Sequence, residues 1–116
     1  MKLYGIANCS TVKKARAWLV DKNIPMEFHD FKKLGVNELL LKTWIYQVGW
    51  ERLINRKGTT WRQLPDTVKA SISDESAAIH LMQEKPSIIK RPIAERDGKI
   101  VHLGFDESSY NTLFRK

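Results

Sequence analysis

The first 31 residues of the chain contain two strand-like segments on either side of a helix-like one. Residues 2–6 form a short apolar run typical of a buried strand, in which Gly5 leaves room for close backbone approach. Residues 26–31 alternate weakly between apolar and polar side chains, as a second strand would. Between them, Ser10 or Thr11 can cap a helix. Its apolar residues lie at helical spacing: Val12, Ala15, Trp18 and Leu19. This βαβ unit requires parallel strands and a right-handed crossover.

The C-terminal part of the chain predicts a hairpin followed by a helix. Asp97-Gly98 separates two runs with apolar residues, 92–96 and 99–103, and this dipeptide is the strongest short-range signal for a hairpin turn. Asp106 can then cap a closing helix. The chain therefore ends in the order strand, strand, helix.

Between these two ends the sequence predicts helices alone. The longest ends at Gly49, and later ones are capped by Asp66 and opened by Ser73. The residues predicted on the buried face of the longest helix are Val36, Leu39, Leu40, Trp44 and Val48. The order βαβ, helices, ββα predicts an α/β fold with one mixed sheet and an all-helical insertion between its halves. We expect a single domain over residues 1–116, with the insertion at about residues 35–73.

Composition limits the partners and the compartment of this domain. The 20 Lys and Arg residues outnumber the 13 Asp and Glu residues, and the formal charge of +7 favours anionic partners. No basic block typical of a nucleic-acid tail is present, so we do not expect nucleic acid to bind. No apolar segment approaches the roughly 20 residues of a membrane span, and no secretory signal is apparent. With a single cysteine as well, we expect a cytoplasmic protein without a membrane partner.

Cys9, the only cysteine, lies in the loop between the first strand and the first helix. The N–H groups and the dipole at a helix N-terminus stabilise a thiolate and lower its pKa, and Lys13 can bring an ammonium near the sulfur. Free cysteines are usually small buried hydrophobes, but this position favours a reactive thiol. Asn8, Ser10 and Thr11 flank Cys9 as candidate binding residues.

Two arginines are candidate anion-binding residues. Arg91 precedes Pro92, where a cis peptide bond would expose backbone groups to an extended peptide, and its guanidinium can bind a carboxylate bidentately. Arg56 lies in a loop with Gly and Thr, whose donors favour an anion. An ordinary surface arginine and a plain helix-to-loop joint explain these two features equally well. The three histidines have no metal-ligand spacing, and we expect no metal.

Three segments of the chain, in this order, resemble the arsenate reductase-like (ArsC/Spx) family. They are LYGIANCSTVKKA (residues 3–15), NRKGTT (residues 55–60) and PSIIKRPI (residues 86–93). The resemblance covers essentially the whole chain and is closest to the YffB branch, for which a glutathione-dependent thiol reductase role has been proposed. It implies a thioredoxin-like fold with a helical insertion and Cys9 as the nucleophile. It also implies that Arg56 and Arg91 line the anion site and that Pro92 is a cis proline.

The sequence departs from the family's arsenate reductases at two positions. Gly5 stands where those enzymes carry a histidine, and LGF (residues 103–105) lacks the arginine that follows their last hairpin. Both departures argue against arsenate reduction. The run CSTV (residues 9–12) also lacks the second cysteine typical of the Spx branch, which excludes an intramolecular redox switch.

The residues and the resemblance together predict a monothiol redox enzyme that acts on a small thiol or disulfide substrate. Glutathione is the expected co-substrate, because no second cysteine of the chain can resolve a mixed disulfide on Cys9. Lys13 would hold the thiolate, while Arg91, the backbone before Pro92 and Arg56 would bind glutathione carboxylates. The alternative is a non-enzymatic, Spx-like interaction module that binds a transcription or stress-response protein.

Overall fold

A computed structural model describes residues 1–114 of the chain. One compact unit consists of Met1–Phe31 with the chain from Arg91 onward, and a second consists of Lys32–Lys90. The elements, in chain order, are β1 (Lys2–Gly5), α1 (Ser10–Asp21), β2 (Glu27–Asp30), α2 (Phe31–Leu34), α3 (Glu38–Val48), α4 (Trp50–Leu53), α5 (Thr59–Arg62), α6 (Asp66–Ser71), α7 (Glu75–Glu84), a 3₁₀ helix (Pro86–Ile88), β3 (Ile93–Arg96), β4 (Lys99–Leu103) and α8 (Glu107–Leu113). None of the helices in residues 1–114 combines the length and the apolar character needed to cross a bilayer.

The strands of the described residues form one sheet in the order β2-β1-β3-β4. β1 and β2 are parallel, with Lys2 opposite Glu27, and α1 connects them. The predicted βαβ unit is therefore confirmed. β1 also pairs with β3 in the antiparallel direction, where Tyr4 lies opposite Ile93. The sheet is thus mixed, as the order of the elements predicts.

A tight hairpin joins β3 to β4 across Asp97 and Gly98. Both residues have positive φ angles, 52° and 77° respectively. A two-residue type I′ turn requires this backbone, and Asp and Gly tolerate it better than most residues. Asp106 then caps α8, because its Oδ1 accepts a hydrogen bond from the Ser109 N–H at 2.7 Å. The predicted ββα ending is confirmed.

α1 and α8 pack on one face of the sheet. The buried residues of this core are Leu3, Ala15, Leu19, Ala94, Tyr110 and Phe114. Leu3 and Ala94 lie opposite each other in the β1–β3 pair and so face the same side. Gly5 lies against α1, since a Cβ atom built on it would be 2.8 Å from Cγ2 of Val12. The prediction of a close backbone approach at Gly5 is wrong, because the atoms nearest to this position belong to side chains, chiefly that of Val12.

The unit Lys32–Lys90 is built mainly from helices. α3 buries Leu41, Trp44 and Ile45. Leu39, in contrast, is 75% exposed, so the prediction that it lies on the buried face is wrong. The physical reason is that α3 carries apolar residues around most of its circumference. Only the row through Leu41, at spacings of three and four residues, packs against its surroundings.

Two helices of this unit begin one residue away from the predicted boundary. Asp74, not Ser73, is the N-cap of α7, and its side chain accepts a hydrogen bond from the Ala77 N–H at 2.8 Å. Pro65 is the N-cap residue of α6, and Asp66 is the first residue of that helix rather than its cap. Adjacent polar residues offer several capping groups, so the sequence pattern leaves such boundaries open by a position.

Gly5→Ala is expected to lower the free energy of unfolding by about 1–3 kcal/mol, because the added methyl group overlaps the Val12 side chain in the core. Gly5 does not have a positive φ, so without this overlap the substitution would stabilise the protein by about 0.4–1 kcal/mol. In the double variant Gly5→Ala/Val12→Ala, the free energy of unfolding should fall by less than the sum of the decreases in the two single variants. The difference should be about 0.5 kcal/mol or more. Urea unfolding of all four proteins measures this coupling. Additive losses, or a Gly5→Ala variant more stable than the parent, would contradict the contact.

Candidate active site

Cys9 occupies the N-cap position of α1, in the loop that follows β1. Its backbone is extended, with φ −117° and ψ 127°, and its carbonyl accepts a hydrogen bond from the Lys13 N–H at 2.9 Å. Ser10 and Thr11 are the first two residues of the helix, so the prediction that one of them is the cap is wrong. The helix begins one residue earlier because the Cys9 carbonyl already takes part in it. Cys9 is half-buried, so a reactant can reach it.

The surroundings of the Cys9 sulfur favour its ionised form. Burial is the largest single influence and raises the pKa of Cys9. The backbone N–H of Val12, the hydrogen bond and the positive charge of Arg91, and the backbone N–H of Thr11 together outweigh burial, so the pKa is lowered from its ordinary value. The Cys9 side chain makes no capping hydrogen bond at the start of α1, and the N–H groups of Thr11 and Val12 favour the ionised form of its sulfur.

The pairing of β1 with β3 explains why Arg91 lies beside Cys9. Tyr4 is opposite Ile93 in this antiparallel pair, so the residues before Ile93 lie next to the loop that follows Tyr4. Arg91 is half-buried and Pro92 is buried. The peptide bond between Arg91 and Pro92 is cis, as the family resemblance implies.

Three further candidates flank the thiol in the same loop and helix. Asn8 and Ser10 are exposed on either side of Cys9, and Thr11 is half-buried. Thr11 acts on the sulfur through its backbone N–H. The structure therefore brings Cys9, Thr11 and Arg91 together. A binding role for the Asn8 and Ser10 side chains stays a prediction.

The groups that stabilise the thiolate differ in part from those expected. Lys13 is exposed and is not among the groups that lower the pKa of Cys9, whereas Arg91 is. Val12, which the sequence pattern predicts only as an apolar residue of the helix, acts on the sulfur through its backbone N–H. The first N–H groups of any helix have no partner within the helix, so an N-cap assignment for Cys9 would have indicated this contact.

Arg56 belongs to the helical unit, in the loop between α4 and α5. Asn55 holds this loop, because its Oδ1 accepts a hydrogen bond from the Lys57 N–H and its carbonyl accepts one from the Gly58 N–H, both at 3.2 Å. The Arg56 side chain is exposed, with its guanidinium carbon 5.6 Å from the centroid of the Trp61 ring. This distance is typical of a cation–π contact. That Arg56 takes part in the thiol site stays a prediction.

Two of the histidines have carboxylate neighbours close in sequence. His80 Nε2 lies 3.5 Å from Glu84 Oε2, and His102 Nε2 lies 3.5 Å from Asp106 Oδ2. Within residues 1–114, no three His, Cys, Asp or Glu side chains come together in a way that could hold a metal ion.

Comparison with known proteins agrees with this fold. A sequence profile described as the ArsC family matches residues 4–113. A protein of Haemophilus influenzae, described only as uncharacterized, is 44% identical over 112 residues, covering 97% of this chain and 96% of its own length. A solved structure of a protein named YffB is 42% identical, with a TM-score of 0.87 and 96% of both chains covered. A solution structure of an arsenate reductase (ArsC) related protein from Brucella melitensis is 45% identical, with a TM-score of 0.79, 99% of this chain and 94% of that chain covered.

The similarity extends from β1 to α8 and so includes both the sheet and the helical unit. The predicted fold class, a thioredoxin-like α/β fold with a helical insertion, is confirmed. The resemblance identified from the three sequence segments is confirmed as well. This chain belongs to the ArsC family.

Proposed function

We propose that this chain is a glutathione-dependent monothiol reductase with Cys9 as its nucleophile. The observation that carries the proposal is the Cys9 thiol at the N-terminus of α1, beside the Arg91 guanidinium and with its pKa lowered. The thiolate is the form of cysteine that attacks disulfides. The similarity to an arsenate reductase related protein from Brucella melitensis supports a reductase. The chain is also 32% identical over 112 residues to a global transcriptional regulator Spx of Streptococcus pyogenes, so the reductase proposal rests on the thiol site and not on these similarities.

In the proposed cycle, the Cys9 thiolate attacks the glutathione sulfur of a mixed disulfide, R–S–S–G. The S–S bond breaks, the substrate leaves as R–S⁻ and takes a proton from solvent, and Cys9 is left in a disulfide with glutathione. A second glutathione, as its thiolate, attacks that disulfide, releases glutathione disulfide and restores the Cys9 thiolate. The two electrons that reduce the substrate come from glutathione. The single cysteine of the chain requires this external thiol.

Arg91 has a different partner at each stage of this cycle. In the free enzyme its guanidinium stabilises the Cys9 thiolate. Once Cys9 carries glutathione, the sulfur has no charge, and the guanidinium can bind a glutathione carboxylate with its planar pair of donors. Thr11 and the backbone before Pro92 complete the proposed glutathione site.

Arsenate reduction is expected to be absent or trivial. At Gly5, where the family's arsenate reductases carry a histidine, a side chain would overlap Val12, whose Cγ2 lies 2.8 Å from the position of a Cβ atom. Gly104, in the segment that lacks the arginine, has a φ of 84°, a backbone that disfavours any other residue. An assay with arsenate and glutathione, run beside one with a glutathione mixed disulfide, checks this expectation. Robust arsenate turnover would contradict it.

The alkylation rate of Cys9 is expected to show an inflection below roughly 8.5, the pKa of a free cysteine, when it is followed from about pH 5 to about pH 9. Arg91→Gln removes a hydrogen bond and a charge that favour the thiolate, so its inflection should move to higher pH. Lys13→Gln is the control, and its inflection should move less, because Lys13 is not among the groups that lower the pKa of Cys9. A parent inflection at or above about 8.5 would make Cys9 an ordinary buried thiol.

Arg91→Ala is expected to weaken glutathione binding by about tenfold to a hundredfold, since one charge-assisted pair contributes about 1.5–3 kcal/mol. Arg91→Lys should recover only part of this loss, because an ammonium does not reproduce the bidentate fork. Calorimetry in a Cys9→Ser background, at one fixed ionic strength, measures binding without the chemical step.

Lys90→Ala is the matched control for the binding experiment, because Lys90 is an exposed neighbour with the same charge. Its glutathione affinity should equal that of the parent. An unchanged affinity in Arg91→Ala would remove Arg91 from the glutathione site. No measurable glutathione binding in the Cys9→Ser background, together with no turnover by the parent, would overturn the proposal in favour of the interaction module.

A further inference from the structure

The charges of α1 are arranged against the dipole of the helix. Lys13 and Lys14 lie near its N-terminus, and Asp21 is its last residue. The first turn has no acidic residue, and the last turn has no basic one. The charges of Lys13, Lys14 and Asp21 destabilise the helix, and Lys22 at its C-cap offsets only the last of them. The stability of α1 therefore does not explain the positions of these charged residues. Residues that weaken local structure are expected where a surface has a function.

Stabilisation of the Cys9 thiolate does not explain the position of Lys13 either. The pKa of Cys9 is lowered by backbone N–H groups of α1 and by Arg91, and not by Lys13. Among residues 1–114, no carboxylate lies within ion-pair distance of Lys13 or Arg16. These two cations are therefore available to an anionic partner, as the net charge of +7 favours.

Cys9, Lys13, Arg16 and Val20 follow one face of α1, because spacings of four, three and four residues match the helical repeat. A shallow, open surface depression of about 550 Å³ lies along this face, and all of its lining residues belong to α1. We call it the α1 groove. The residues that line it are Lys13, Arg16, Ala17, Val20 and Asp21. The groove therefore starts about one helical turn from the thiol and leads away from it.

Arg16 and Val20 give the α1 groove a cationic part and an apolar part. The guanidinium carbon of Arg16 lies 4.2 Å from the centroid of the Phe28 ring, so the side chain is held in place and its N–H groups can still donate to a carboxylate. Val20 is 69% exposed, and covering it would remove apolar surface from water. Along the helix, the cations are nearer to Cys9 and the apolar side chain is farther away.

We propose that the α1 groove binds the polypeptide part of a protein mixed disulfide, as an extended segment with carboxylates at Lys13 and Arg16 and an apolar side chain at Val20. The inference rests on the proposed function and assigns its substrate class: a glutathionylated acidic polypeptide rather than a small disulfide. In the cycle given above, R is then this polypeptide. It leaves as its thiolate when Cys9 takes the glutathione.

The geometry of the helix sets the spacing of the recognised residues. At about 1.5 Å per residue, Lys13, Arg16 and Val20 lie roughly 6, 10 and 16 Å along α1 from Cys9. An extended segment advances about 3.3 Å per residue. Its carboxylates should therefore lie about two and three residues from the substrate cysteine, and its apolar residue about five residues from it.

The test compares two synthetic peptides of equal length, each with one glutathionylated cysteine. One has Asp, Glu and Leu at the predicted distances, and the other has Asn, Gln and Ser there. Each is made with the cysteine at either end, which covers both chain directions. With the parent protein and glutathione, the acidic peptide is expected to be reduced roughly fivefold to tenfold faster than the neutral peptide at low ionic strength, in one of the two chain directions. Added salt should diminish this preference. Mass spectrometry of the released peptide gives the rates.

Arg16→Gln and Val20→Asn should each diminish the preference for the acidic peptide about twofold to threefold. Lys14→Gln is the matched control, with the same change of charge on another face of α1, and should leave the preference unchanged. Because Val20 is exposed, Val20→Asn is expected to fold, and it keeps the test decisive if Arg16→Gln does not. Adduct formation with glutathione disulfide, which is too short to follow the groove, should change less than about twofold in both variants.

Equal rates for the two peptides, or an equal effect of Lys14→Gln and Arg16→Gln, would overturn the role of the α1 groove. If Cys9 still forms its adduct with glutathione disulfide, the proposed function survives that result. If Cys9 forms no adduct with glutathione disulfide and reduces neither peptide, the proposed function fails, and the inference fails with it.

Discussion

The antiparallel pairing of β1 with β3 is the contact on which the thiol site depends. It brings the beginning and the end of the chain to one end of the sheet, where the loop with Cys9 lies beside Arg91. Gly5 contributes to the same arrangement, because the missing side chain lets Val12 of α1 pack onto β1. A change of register by one residue would turn Arg91 to the other side of the sheet. The reactivity of the sulfur therefore rests on backbone hydrogen bonds as much as on side chains.

The half-buried position of Cys9 has two opposite effects. Burial disfavours a charged sulfur, but the same reduced access of water strengthens the attraction between the thiolate and the Arg91 guanidinium. The N–H groups of Thr11 and Val12 add to this attraction without the entropy cost of ordering long side chains, because the helix already holds them in place. A fully exposed cysteine would lose this support, and a fully buried one would lose its reactants.

The parts of the fold that follow from local preferences could be predicted from the sequence. The Asp97-Gly98 turn is one, because few other residues tolerate two successive positive φ angles. The exposure of Leu39 could not be predicted, since α3 is apolar on several faces and the packing of its surroundings selects one. The candidate site likewise has one part that could be predicted from the sequence and one part that could not. Cys9 was evident from its position before a helix, but its contact with Arg91 joins distant parts of the chain, and only the family resemblance implied it.

Cys9 occupies a position that helices usually fill with a side-chain oxygen. Its side chain makes no capping hydrogen bond, but the N–H groups of Thr11 and Val12 favour its thiolate. By the same interaction the ionised sulfur stabilises the start of α1, beside the bond from the Lys13 N–H to the Cys9 carbonyl. A disulfide at Cys9 removes that negative charge and with it the attraction to these N–H groups. The redox state of the sulfur is thus coupled to the local stability of the first turn of α1.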